Sequence, residues 1–141
     1  MQTNQVTITG EDEEYILVRD GNKYFVNGNE IIQNSLKELD ENEKGNYNEQ
    51  KESGYNKKEA LFITNLLRDG PFDDLSDSYL NIVVMEILLL MLNSNNTIYG
   101  KNIVYEQEDD EDILIVLKYG NRQVKFDPSE SFRDKILELI N

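Results

Sequence analysis

The stretch ILIVLKYGNRQVKF, residues 113–126, decides the fold. It holds two runs rich in β-branched and aromatic residues, separated only by Gly120-Asn121. A two-residue loop with glycine first suits a type II′ turn, whose twist matches that of paired strands, so the stretch reads as a β-hairpin. The same phrase occurs earlier as YILVRDGNKYFV, residues 15–26, with Gly21 and Gly120 standing 99 positions apart (120 − 21). Working outward, each hairpin is preceded by an acid run, GEDEE at 10–14 and EDDED at 108–112. Each acid run follows a short alternating segment, VTIT at 6–9 and NIVYE at 102–106. Alternation with β-branched residues signals strands, and consecutive acids mark a reversal in water. The chain therefore reads as two short antiparallel β-meanders, whether or not they join into one sheet.

A helix is expected after each meander. Asn29 reads as the N-cap of a helix over 30–41, with Ile31, Ile32, Leu36 and Leu39 on one face. Asp127 reads as a second N-cap, with Pro128 at the first helical position, Glu130 at the third, and Phe132, Ile136, Leu139 and Ile140 along the apolar stripe. These signals predict two strand-strand-strand-helix units, 1–41 and 102–141, inside one domain spanning 1–141. Between them, residues 42–56 are polar and poor in aliphatics, which predicts a flexible loop. Residues 57–96 read as a helical pair. Asn56 caps the first helix, which carries Leu61, Phe62, Leu66 and Leu67 and stops at Asp69-Gly70-Pro71. Ser76 or Asp77 caps the second, over 78–93. Its centre, IVVMEILLLML, is apolar nearly all round, as in a helix buried on most sides. The fold class is α+β, with about four helices and the 78–93 helix central. If the fold fails to cover that helix, its bare face is a homodimer seam.

Composition narrows the function. The chain of 141 residues carries a formal net charge of −14, with 14 basic and 28 acidic residues. Phosphate binding needs clustered cations, so direct nucleic-acid binding and attachment to anionic membranes are not expected, whereas a basic protein is attracted. Cysteine and histidine are absent, which removes disulfides, thiol chemistry, the commonest general base and the commonest metal ligand. MQTNQVTITG lacks the basic and apolar regions of a signal peptide, and the longest apolar stretch, 82–92, is too short for a membrane span. Abundant Asn, Ile, Glu, Asp and Lys is the usage of an AT-rich bacterial or phage genome. The expected location is the cytoplasm of a bacterial host cell.

No nucleophile elbow, phosphate loop or dinucleotide loop occurs, so enzymatic activity and a cofactor are not expected. The acid runs lack the spacing of a calcium loop, and consecutive residues of an extended segment point to alternate sides, so no metal site is expected. Glu86, the one charge in the apolar helix, reads as a carboxylate reaching solvent or pairing with a lysine. Between Asp69 and Asp112 the only cation is Lys101. A carboxylate-rich recognition face is therefore expected from Asp73, Asp74, Asp77, Glu108, Asp109, Asp110, Glu111 and Asp112, with Tyr47, Tyr55, Phe72 and Tyr79 as aromatic anchors. The expected function is inhibition of a basic, nucleic-acid-binding enzyme, as by a phage or mobile-element antagonist of a bacterial defence nuclease, an anti-CRISPR protein acting as a nucleic-acid mimic. An immunity protein that neutralises a toxin has the same character. A dimeric chaperone or assembly adaptor is the reading from another class.

Overall fold

The computed structural model describes residues 4–93 and 96–141. Seven strands form one sheet: β1 (Gln5–Thr9), β2 (Glu14–Asp20), β3 (Lys23–Val26), β4 (Asn29–Ile31), β5 (Asn102–Asp109), β6 (Ile113–Tyr119) and β7 (Arg122–Phe126). Four α-helices accompany them: α1 (Glu41–Glu52), α2 (Lys57–Asp69), α3 (Tyr79–Leu92) and α4 (Phe132–Ile140). The fold is α+β. The two meanders are halves of a single sheet of order β4-β3-β2-β1-β5-β6-β7, joined where β1 and β5 pair in parallel, with Thr7 opposite Asn102 and Thr9 opposite Val104. Every other pairing is antiparallel. Gly21 (φ 60°) and Gly120 (φ 58°) lead the two Gly-Asn loops, and each following Asn keeps a negative φ, the type II′ geometry expected.

The helices cover one face of this sheet. Val6, Ile8, Leu17, Tyr24, Val26, Ile31, Ile103, Tyr105, Ile115, Leu117, Val124 and Phe126 point to that face and merge with α2, α3 and α4 in one apolar core. Helix α3 runs through its centre: every residue but Tyr79 and Ile82 is buried. The chain thus covers its own apolar helix, and no bare seam is left along it. Both ends of α3 are satisfied by polar groups. Ser78 accepts from the Asn81 amide, and Arg19 and Lys58 donate to the Met91 and Leu92 carbonyls. Cations there also oppose the negative end of the helix dipole.

Three expectations are corrected. The helix over 30–41 does not form. Asn27 (φ 51°) and Gly28 (φ 82°) both adopt left-handed backbone, making a type I′ turn that sends the chain back as β4, with Val26 opposite Asn29 and Tyr24 opposite Ile31. Only a 3-10 turn, Leu36–Glu38, follows, and Ile32 and Leu36 stay 48% and 45% exposed. The first unit accordingly ends in a fourth strand rather than a helix. Residues 42–56 are no flexible loop: Glu41–Glu52 is helix α1, capped by Asp40, whose carboxylate accepts from the Glu43 amide while Glu43 reaches back to the Asp40 amide. Finally, α4 begins at Phe132 under a Ser131 cap. Asp127 and Glu130 close a separate turn before it.

Candidate functional site

The parallel β1–β5 pairing decides where the charge goes. Strands that run the same way put their following turns at the same end of the sheet. The acid runs at 10–14 and 108–112, far apart in sequence, therefore flank one another. Between them opens a cleft of about 720 Å³, walled by Gly10, Glu11, Asp12 and Glu13 on one side and by Val104–Asp109 on the other, with Ser78 and Leu80 at its floor. Six carboxylates line it (Glu11, Asp12, Glu13, Glu106, Glu108 and Asp109) and no cation does. The β2–β3 and β6–β7 hairpins lie at the opposite end, where Arg19, Lys23, Lys101 and Arg122 outnumber the one acid, Asp20, and Lys118 reaches back to Glu106. The sheet is thus electrically polarised along its strands.

Within the acid end the carboxylates differ. On the uncovered face of the sheet, Glu106 pairs with Lys118 at 3.0 Å and Glu108 with Lys125 at 3.5 Å. Both pairs are well exposed and add little stability. Val116 lies directly between Glu106 and Lys125 in the ladder and is only 1% exposed although no helix lies over it; the aliphatic stems around it exclude water. Asp109 accepts from the Gln107 amide group. Glu11, Asp12, Asp110, Glu111 and Asp112 form no ion pair among the described residues and are exposed. Tyr105 reports this environment: its hydroxyl donates to Gln107, and its pKa is pushed up to about 12 by burial, with the Asp109 charge as the next cause. Among the described residues, no three acidic side chains converge closely enough to hold a metal ion.

The Asp73–Asp77 segment lies elsewhere than expected. Asp73 and Asp74 line a second cleft of about 480 Å³ with Asp40, Glu43, Glu49 and Arg68, between α1, α2 and the loop before α3. Asp74 caps the 3-10 turn Leu75–Asp77, accepting from the Ser76 amide and hydroxyl, bonds that hold its carboxyl below the usual range. Asp77 closes that turn with a long contact to the Asp74 carbonyl. None of Asp73, Asp74 and Asp77 lines the first cleft, which Ser78 and Leu80 reach instead.

None of the four aromatic anchors lines the acid cleft; Tyr47 and Phe72 are buried, and Tyr55 and Tyr79 are half-buried. Tyr47 is buried against Leu39 and Ala60, which is what ties the polar α1 to the body. Phe72 is buried with its ring 5.7 Å from that of Tyr15. Tyr79 stacks on Phe132, and the Tyr55 hydroxyl donates to Glu86. The apolar groups exposed near the acid end are Ile16, Val104 and Ile113. Ile16 and Val104 alternate with the core residues Leu17, Ile103 and Tyr105 and so lie on the uncovered face, while Ile113 shares the side of Ile115 and Leu117 but stands at the exposed end of the β5–β6 ladder.

Glu86 has a structural role. It accepts from Arg133 of α4 at 2.8 Å and from Tyr55, while Arg133 also donates to Glu59 at 2.9 Å. Its partner is an arginine rather than a lysine, and the network links α2, α3 and α4. Arg68 makes a comparable clamp on the other side, holding Asp69, Glu43 and the Ile32 carbonyl. No helix among the described residues is long and apolar enough to cross a membrane. Comparison with protein-family models, with curated protein sequences and with solved structures finds no match for this chain.

Proposed function

We propose that this chain is a binding protein rather than an enzyme, and that its acid end occupies the cationic groove of a basic, nucleic-acid-handling partner and so inhibits it. The observation that carries the reading is the juxtaposition of the two acid turns beside a cleft lined by six carboxylates, of which Glu106 and Glu108 are paired with Lys118 and Lys125 while Glu11, Asp12, Glu13 and Asp109 have no ion pair among the described residues. Clustered carboxylates pair with arginine and lysine much as phosphates do. The opposite charge at the far end of the sheet orients the molecule as it approaches, and such fields raise association rates by roughly 10- to 1,000-fold at low salt. Ile16, Val104 and Ile113 supply apolar contact near the acid end. The biological setting that fits best is a phage or mobile-element antagonist of a bacterial defence nuclease, present in the bacterial cytoplasm.

Affinity capture from bacterial lysate tests this, comparing the wild type with a Glu11→Gln, Asp12→Asn, Asp110→Asn, Glu111→Gln variant. The expected partner is basic, is lost by the variant, dissociates in high salt and is released by a double-stranded DNA oligonucleotide. A partner held equally by both proteins removes the acid end from the mechanism. A basic partner that DNA does not release favours toxin neutralisation over nucleic-acid mimicry.

A further inference from the structure

The acid cleft has a property that charge alone does not explain. Strand β5 runs from Asn102 to Asp109, yet β1 accompanies it only as far as Val104. Tyr105 lies at the last bond of that pairing, and over Glu106–Asp109 the only strand beside it among the described residues is β6. The Lys101 carbonyl accepts from the Thr7 amide at 3.0 Å, so the backbone groups of alternate residues, 103, 105, 107 and 109, point to the β1 side. The register against β6 continues unbroken from Val104 opposite Lys118 to Asp109 opposite Ile113, so no bulge reverses that direction. The amides and carbonyls of Gln107 and Asp109 therefore face the cleft. Strand β1 cannot reach them, because the Gly10 amide donates to the Glu13 carbonyl at 2.7 Å and turns the chain away. A place for a strand about 13 Å long beside Glu106–Asp109 is left open in the middle of the sheet.

We infer that this cleft is a strand-addition site, taking an extended segment of the basic partner that prolongs the line of β1 and pairs with Gln107 and Asp109. The inference rests on the reading that the acid end binds a basic partner, and names how it does so. Main-chain bonds supply affinity in this mode and alternate side chains supply specificity. One set of side chains on the added strand faces Leu80 and Ser78 at the floor; the other faces the side where Glu106 and Glu108 project. The fitting segment alternates apolar and cationic residues. A second copy of this chain, with net charge −14, is opposed by repulsion, the usual protection of an open edge.

The test uses a capped octapeptide of alternating valine and lysine, titrated into the full chain at low salt. Amide hydrogen exchange of Gln107 and Asp109 is followed with and without it. Strand addition slows exchange at both at least tenfold, and the same peptide N-methylated at every amide, equal in charge but without donors, binds at least tenfold more weakly. Gln107→Pro removes a cleft-facing donor while leaving the β6 ladder bonds, and is expected to weaken the parent peptide fivefold or more. Should that variant not fold, the exchange and methylation arms still decide. Binding with unchanged exchange and no penalty for methylation overturns strand addition and leaves the electrostatic reading standing. No binding by either peptide sinks both. Edge amides already protected in a dimer of this chain would assign the edge to a second copy and overturn the inference.

Discussion

Replacing Arg133 with methionine should cost the fold about 2–4 kcal/mol. Its guanidinium bonds Glu86 at 2.8 Å and Glu59 at 2.9 Å, and these carboxylates are only 6% and 4% exposed. Methionine keeps most of the stem, so little cavity is made; what changes is that two buried negative charges lose their cation. Removing one partner of a buried pair costs roughly 3–5 kcal/mol. The Arg133 side chain is 34% exposed, so water reaches the gap and trims that figure. Neutral donors also remain: Tyr55 on Glu86, and the Asn56 amide and Asn93 on Glu59. Urea unfolding at neutral pH measures the loss as a lower midpoint with an unchanged slope. Adding Glu59→Gln and Glu86→Gln to Arg133→Met should recover about half of it, because the uncompensated charge rather than the lost contact carries the cost. A loss below about 1 kcal/mol for Arg133→Met would show the network to be worth no more than a surface pair and refute the reasoning.

Further outcomes are expected. Gly28→Ala should destabilise by about 1–2 kcal/mol in thermal or urea unfolding, since its φ of 82° strains any L side chain although the space beside it is open. Gly70→Ala should destabilise for a different reason: its Cβ would sit 2.6 Å from the Leu66 carbonyl oxygen with an ordinary φ, so the end of α2 must shift. Tyr105 should titrate near pH 12 by ultraviolet absorbance. Because that value lies above the unfolded value near 10, the contribution is complete below pH 10 and is lost as pH rises towards 12. Asp109→Asn should move the titration down. Neutralising Asp109, Asp110, Glu111 and Asp112 together should slow association with a cationic partner at least about tenfold at low salt and leave the unfolding midpoint nearly unchanged.

Much of this architecture is legible in the residues, and the failures have physical causes. The Gly-Asn hairpins, the Asn56 cap and the largely apolar α3 are local signals with few alternatives, and each occurs in the structure. Asn27-Gly28 is equally local, but Asn29 beside it has the chemistry of a helix cap, and the spacing of Ile31, Ile32 and Leu36 imitates a helical stripe. Turn geometry prevails because both residues tolerate left-handed backbone. Helix α1 leaves almost no periodic trace, since Tyr47 is its one buried side chain. Its only sequence signal is the Asp40–Glu43 capping box. The acid runs are plain in the sequence, but their meeting is not. It follows from the parallel β1–β5 contact, a non-local pairing that no local pattern encodes, just as none places Asp73 and Asp74 in the second cleft beside α1 and α2.

A nuclear magnetic resonance titration with tetralysine addresses the acid end most directly. Shift changes should concentrate on residues 10–14 and 104–112, saturate at low ionic strength and vanish near 1 M salt, where the screening length falls to about 3 Å. Changes spread evenly over the molecule, or centred on the cleft of Asp40, Glu43 and Asp73, would contradict the assignment of that end as the binding face.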